Sequence, residues 1–122
     1  MTREIKKIKK EWKNIIFNVV FALLTVLFPI IFYRSIIVTT ALVGFVGIIG
    51  LAKWKSRITL SIFLFGAIWG SSAEMIAISY NVWSYSFINF LNIPLWLFIV
   101  WGNAAAFIYQ TAIEFERLGF HK

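Results

Sequence analysis

Apolar residues fill four long stretches of the chain, at residues 15–33, 36–52, 58–82 and 93–115, and charged residues cluster between them. A helix that crosses a bilayer needs about 17–25 residues, so each stretch is long enough for one crossing. The first two cannot form a single crossing, because at ~1.5 Å per residue a helix over 15–52 would exceed the ~30 Å apolar layer. The pattern predicts an all-α integral membrane protein, a four-transmembrane-helix bundle that forms one domain over residues 1–122.

The composition supports this class. Of the 122 residues, 61% are hydrophobic and only 14% are charged, and a soluble domain of this size could not bury so much apolar surface. Cysteine is absent, which excludes disulfides and thiolate metal sites. The sequence contains no Gly-rich phosphate loop and no metal-ligand cluster, so we predict no cofactor and no metal.

The basic residues indicate how the chain crosses the membrane. Eleven of the twelve lie in the N-terminal stretch, in the connection after the second apolar stretch and in the C-terminal tail, whereas Arg34 alone lies on the opposite side. Positively charged connections stay in the cytoplasm. We therefore expect a multi-pass protein of the cell membrane with both termini cytoplasmic, and we attribute the net charge of +7 to topology rather than to nucleic-acid binding.

The N-terminal stretch has an amphipathic pattern of its own. Ile5, Ile8 and Trp12 recur at helical spacing, and lysines occupy the other faces. We expect residues 1–14 to form a basic amphipathic helix that lies along the interface and anchors the first crossing. A sensor of anionic lipid is the alternative interpretation.

Glu74 is the carboxylate that lies deep inside a predicted crossing. The chain has no basic residue from Ile58 through Phe115, and a charge at bilayer depth costs at least ~2.5–3.5 kcal/mol. At ~1.5 Å per residue Glu74 lies roughly 24 Å from the cytoplasmic boundary, in the outer leaflet. It is a functional candidate for that reason. The alternative is a neutral, hydrogen-bonding carboxyl group that joins the third and fourth helices.

Several residues are predicted to surround Glu74. They lie at a similar depth or belong to the aromatic connection over 81–92, and they are Tyr80, Trp83, Tyr85, Trp96 and Asn103. The connection suits an interfacial aromatic belt or a lid over a pocket. Asn92 is expected to cap the fourth helix, with Pro94 in its first turn.

Small and polar residues form stripes that should face the bundle interior. One stripe of the third crossing comprises Gly66, Gly70, Glu74, Ala77 and Asn81, and one of the fourth comprises Trp96, Asn103, Ala106, Gln110 and Glu114. Glu114 is expected to form a surface pair with Arg117. For Trp69 and Trp101 we expect a packing role.

A set of short motifs extends over residues 66–105. They are the intramembrane Glu74, then Trp83-x-Tyr85, then Ile93-Pro94-x-Trp96, and then Trp101-Gly102. This pattern resembles the lycopene-cyclase-type and related small membrane proteins of carotenoid biosynthesis. Those proteins follow the proline with paired glutamates used in acid–base chemistry, whereas Leu95 and Trp96 follow Pro94 here. The resemblance implies a fold and a pocket for an apolar isoprenoid more than it implies cyclisation, with Glu74 as the candidate catalytic residue.

Three functions are compatible with the sequence. The first is binding, or modification, of an apolar lipid or isoprenoid in an outer-leaflet pocket near Glu74. The second is a small proton-coupled transporter that works as an oligomer. The third is a noncatalytic subunit that assembles with itself or with a partner membrane protein. The sequence leaves open whether the protein is an enzyme.

Overall fold

Four helices make up the fold. The computed structural model describes residues 3–88 and 92–119, and its helices are α1 (Arg3–Phe32), α2 (Ile36–Trp54), α3 (Arg57–Ser79) and α4 (Trp96–Arg117). Within the described residues no strand is present. All four are long and apolar enough to cross a membrane, α1 over Glu11–Phe32 and the others over their full length. The prediction of an all-helical chain with four such helices is confirmed.

The N-terminal stretch differs from the prediction. Residues 3–14 do not form a separate helix, because α1 continues without a break from Arg3 to Phe32. No glycine or proline occurs between Arg3 and Phe28, so nothing in the backbone ends the helix at the edge of the apolar stretch. Pro29 lies within the last turns of α1.

Short connections join the first three helices. The Ser35 hydroxyl caps α2 by accepting from the Val38 N–H at 3.3 Å, and the Ser56 hydroxyl caps α3 by accepting from the Thr59 N–H at 3.1 Å. Lys55 ends α2 in the left-handed region, with φ of 50°. These caps satisfy N–H groups that a helix start leaves without partners, and they support two tight hairpins.

The start of α4 also differs from the prediction. Asn92 does not cap it: Asn92 has φ of 71°, Pro94 precedes the helix, and the N-terminal position is taken by Leu95 without a side-chain hydrogen bond. Backbone bonds from the Leu97 N–H to Pro94 and from the Phe98 N–H to Leu95 form the first turn instead. Residues 80–88 and 92–95 lie outside the helices, between the end of α3 and the start of α4.

Helix α4 is central to the packing. It contacts α1, α2 and α3, whereas α3 packs mainly on α4, has few contacts with α2 and none with α1 among the described residues. Many large apolar side chains point outward, among them Ile37, Ile48, Phe65 and Ile108. In water this would be unfavourable, but it is what helices in lipid require.

The predicted stripe agrees with the buried face of α4, but on α3 Glu74 alone of the five predicted residues is buried, and Asn81, beyond the end of the helix, is exposed. All five stripe residues of α4 are buried, but the buried face of α3 comprises Thr59, Ala67, Ser71, Glu74 and Ile78. Gly66 and Gly70 face α4 at close range: a Cβ on Gly70 would lie 2.6 Å from Cγ of Trp101. Real Cβ atoms do not approach so closely, so glycine permits the close contact of α3 with α4.

The two ends of the fold differ in chemistry. We call the end that holds the start of α1, the α2–α3 connection and the end of α4 the basic end. The end that holds residues 33–35, 80–88 and 92–95 is called the aromatic end. A core cluster lies near the aromatic end and comprises Val43, Ile78, Ile93, Trp96 and Leu97.

Candidate functional site

Glu74 lies on α3 close to the aromatic end, five residues before the helix ends at Ser79. Its side chain faces the protein and is only 8% exposed. Its position on α3 is one turn beyond Gly70, where the close approach of α4 brings the ring of Trp101 alongside. The helix pair thus places a carboxylate and an indole next to each other.

Three aromatic side chains donate hydrogen bonds to the Glu74 carboxylate. The Tyr85 hydroxyl donates to Oε1 at 2.5 Å, and the Trp83 indole N–H donates to the same oxygen at 3.1 Å. The Trp101 indole N–H donates to Oε2. Two donors come from the 80–95 connection and one from α4, so the carboxylate ties the connection and both helices together.

The donors explain how a carboxylate is accommodated without a cation. In the described part of the chain, the ion pairs involve Arg117 at the basic end, and none involves Glu74. An indole N–H can only donate, so both carboxylate oxygens act as acceptors. Hydrogen bonds to an ionised acceptor are roughly twice as strong as neutral ones. In this geometry both oxygens of Glu74 serve as hydrogen-bond acceptors.

Tyr85 is held on two sides. Its hydroxyl is bonded to Glu74, and its ring meets the ring of Trp96 edge to face, with centroids 5.8 Å apart. Burial, and then the hydrogen bond to Glu74, raise the pKa of the Tyr85 phenol above its ordinary value. Tyr85 consequently remains a protonated donor throughout the physiological pH range.

The other predicted neighbours lie elsewhere. Asn103 donates to the Thr25 hydroxyl and to the Val43 carbonyl, each at 3.2 Å, and so joins α4 to α1 and α2. Tyr80 follows the end of α3 and is 78% exposed. Trp96 contacts Tyr85, and its own indole N–H is buried without a hydrogen-bond partner. Of the predicted set, Trp83 and Tyr85 are the residues that bond to Glu74.

Trp101 is the partner that sequence reasoning missed, because it was assigned to packing alone. A signal for it exists in the chain. Gly66 and Gly70 precede Glu74 at steps of four on α3, and this spacing leaves room for a large ring beside the carboxylate. Trp69, on the other hand, points outward.

A depression lies next to this carboxylate cluster at the aromatic end. Its volume is about 540 Å³, and its lining consists of Ile78, Ser79, Asn81, Trp83, Ser84 and Asn92. Among the described residues, the lining includes no charged side chain. We call it the outer depression. Trp83 belongs to both features, since its indole N–H bonds to Glu74 while its side chain lines the depression.

A second polar cluster occupies the basic end. Arg117 pairs with Glu114 at 2.8 Å, as predicted, and lies 3.7 Å from Glu11. The prediction that this is a surface pair is wrong for Glu114, because the packing of α1 on α4 leaves its side chain only 3% exposed. In the described part of the chain, no group of three or more His, Cys, Asp or Glu residues lies close enough to hold a metal ion.

The fold consists of four apolar helices, each long enough to cross a membrane, which is the pattern expected of a multi-pass membrane protein. No family model, curated protein or solved structure matches the chain. The chemistry of its own residues therefore carries the functional argument.

Proposed function

We propose that this protein binds a neutral lipid, an isoprenoid or a similar molecule, in the outer depression beside Glu74. The basic end would lie in the cytoplasm, following the positive-inside rule, so the depression would open at the outer leaflet. The observation that carries the proposal is the double role of Trp83. It is fixed by its bond to Glu74, and it presents the same side chain to an open depression.

The lining favours an uncharged polar group on the ligand. Asn81, Asn92 and two serines offer amide and hydroxyl groups, and the lining contains no lysine or arginine. The Glu74 carboxylate lies behind Trp83 without a paired cation. A phosphate or pyrophosphate head group would gain no cation here and would be repelled by the carboxylate.

The outward face of α3 suits the apolar part of such a ligand. Ile68, Trp69 and Ile76 are exposed on this helix, and Ile78 lines the depression at its end. A volume of about 540 Å³ falls in the usual range of ~300–1,000 Å³ for small-molecule sites. The depression would hold the polar end of the lipid while its chain lies along α3 in the bilayer.

Catalysis is not part of the proposal. Glu74 receives three hydrogen bonds, and the resemblance to carotenoid-biosynthesis proteins lacks the paired glutamates after Pro94. The resemblance supports an isoprenoid ligand more than an acid–base reaction. Glu74 would act on the site by holding Trp83 and Tyr85 in place.

Two serine variants test the binding site without touching the Glu74 bonds. Ser84 lines the outer depression, whereas Ser86 lies in the same connection but not in that lining. The full chain and the Ser84→Phe and Ser86→Phe variants would be extracted in mild detergent, and co-purified lipids identified by mass spectrometry. We expect a neutral isoprenoid or similar lipid with the unchanged chain and with Ser86→Phe, and its loss with Ser84→Phe. The same lipid profile in all three would contradict the proposal, as would enrichment of phosphorylated lipids alone.

A second candidate function, membership of a membrane complex, rests on the packing of α3. This helix is held mainly by α4, and its outward face leaves Phe65 and Trp69 exposed. A second copy or another membrane protein could cover that face. Crosslinking in native membranes through a photoreactive residue at position 65, with position 37 on α2 as the control, would recover the partner.

A proton-coupled transporter is less favoured, because three donors enclose Glu74.

A further inference from the structure

A small cavity lies between α1 and α4 near the basic end. Its volume is about 130 Å³, and Asn18, Thr111 and Glu114 are its polar lining residues. Apolar side chains, among them Ile15 and Phe107, form the rest of the wall. The cavity is at the opposite end from the outer depression and shares no residue with it.

Each polar residue of this cavity has an oxygen atom without a hydrogen-bond partner. These atoms are Oδ1 of Asn18, Oγ1 of Thr111 and Oε2 of Glu114, and the residues Asn18 and Glu114 are both 3% exposed. Besides Arg117, the Glu11 carboxyl group is a side-chain partner of Glu114, so two carboxyl groups lie together at this end of the cavity. A buried polar group without a partner costs about 1–3 kcal/mol. Three such oxygens around one cavity would be a large penalty if nothing polar occupied it.

The chemistry of the three oxygens favours a cation as the occupant. An amide oxygen and a carboxylate oxygen can only accept hydrogen bonds, so they attract a positively charged occupant and repel one that offers only acceptor atoms. Oxygen ligands with no nitrogen or sulfur suit hard cations. Arg117 already lies 2.8 Å from the other oxygen of Glu114, and its charge disfavours a divalent ion.

We propose that this cavity binds one sodium ion through Asn18, Thr111 and Glu114. The cavity volume of about 130 Å³ leaves room for the ion and for waters that complete its coordination, since one water occupies ~30 Å³. Arg117 is half-exposed beside Glu114, so the ion has a short route from the aqueous side of the basic end. The ion would join α1 to α4 where these helices otherwise leave polar atoms unsatisfied.

Thr111→Val is the decisive variant, because it replaces the hydroxyl by a methyl group of the same shape. The full chain in detergent would be equilibrated with radioactive Na⁺ at constant ionic strength set by choline chloride, and bound Na⁺ counted per chain. For the unchanged chain we expect one bound Na⁺ per chain and an unfolding temperature that rises with the Na⁺ concentration. Thr111→Val should bind Na⁺ with at least about tenfold lower affinity, because even the loss of a group that only supports a metal ligand costs ~10–100-fold in affinity. Glu114→Gln should abolish binding.

Two control variants separate the site from general effects. Thr40→Val makes the same change at another partly buried hydroxyl without a partner, away from this cavity, and Glu116→Gln makes the same change at an exposed carboxylate. Both should bind Na⁺ as the unchanged chain does. Absence of Na⁺ binding to the unchanged chain would overturn the proposal and indicate a cavity filled by water alone. Equal Na⁺ affinity in Thr111→Val would overturn it as well, and this holds even if Glu114→Gln fails to fold.

Discussion

Replacing Glu74 by Gln is predicted to loosen the aromatic end of the fold. The carboxylate accepts from three donors, whereas an amide has one oxygen that can accept and an NH₂ group that can only donate. If the amide oxygen keeps Tyr85 and Trp83, the Trp101 indole N–H faces another donor. The variant therefore leaves one N–H without an acceptor and weakens the other two bonds.

The size of the effect follows from these bonds. An orphaned buried donor costs about 1–3 kcal/mol, and each remaining bond falls from roughly 1.5–3 kcal/mol with a charged acceptor to about 0.5–1.5 kcal/mol with a neutral one. Relief from burying a charge offsets part of this loss. We expect a net destabilisation of about 2 kcal/mol or more, a large fraction of the stability of a typical domain. Tyr85→Phe should cost less, because Trp83 still bonds to the same oxygen.

Two measurements check this prediction. Unfolding in detergent, followed by circular dichroism, reports the free energy, and hydrogen exchange of residues 80–88 reports local opening of the connection. Glu116→Gln is the matched control, because it makes the same chemical change at an exposed position. The reasoning is refuted if Glu74→Gln unfolds like Glu116→Gln and leaves the connection equally protected.

Three further predictions concern other contacts. Gly70→Ala places a Cβ within 2.6 Å of Trp101 Cγ and should cost about 1–3 kcal/mol of unfolding free energy, whereas Gly44→Ala, whose nearest neighbour would lie at 3.6 Å, should be nearly neutral. Thr59→Val should lower the free energy of unfolding by about 1–3 kcal/mol, because the Gln110 amide, which donates to the Thr59 hydroxyl at 2.7 Å, would lose its acceptor. The double variant Thr59→Val with Gln110→Leu should recover most of that loss. The pKa of Tyr85 is higher in the folded protein than in the unfolded chain. The free energy of folding that this tyrosine contributes is therefore fully present below pH 10.0, the ordinary tyrosine pKa, and is lost as the pH rises through the pKa of the folded protein. In an ultraviolet titration, Glu74→Gln should let this tyrosine ionise at lower pH, and an unchanged titration curve would contradict the assignment of its partner.

Much of the fold follows from the sequence because its helices coincide with uninterrupted apolar stretches. Long apolar stretches predict α2 and α3 to within a few residues, and the polar stripe of α4 points inward as expected. The start of α1 was missed because amphipathic and apolar segments can share one uninterrupted helix. The start of α4 was missed because Asn92, in the left-handed region, is part of the connection rather than a cap.

The pairing of Glu74 with Trp101 could not be read from depth alone. Depth depends on the rise per residue, but the partner of a side chain depends on which helix faces it and how closely. Gly66 and Gly70 determine that distance, and their effect appears only when α4 is placed against them. Depth likewise suggested Asn103, yet rotation about the α4 axis turns that residue toward α1 and α2.

The aromatic residues of the 80–95 connection have a physical explanation beyond an interfacial belt. From Ile58 through Phe115 the chain offers no lysine or arginine, so a carboxylate in α3 must be satisfied by neutral donors from this region. Indole and phenol groups supply such donors on large apolar rings, which can stay at the edge of a bilayer where a charged side chain would be costly. Trp83 and Tyr85 meet that requirement from the connection, and Trp101 meets it from α4. The absence of basic residues around Glu74 thus accounts for the chemistry of its partners, even though the sequence leaves their geometry undetermined.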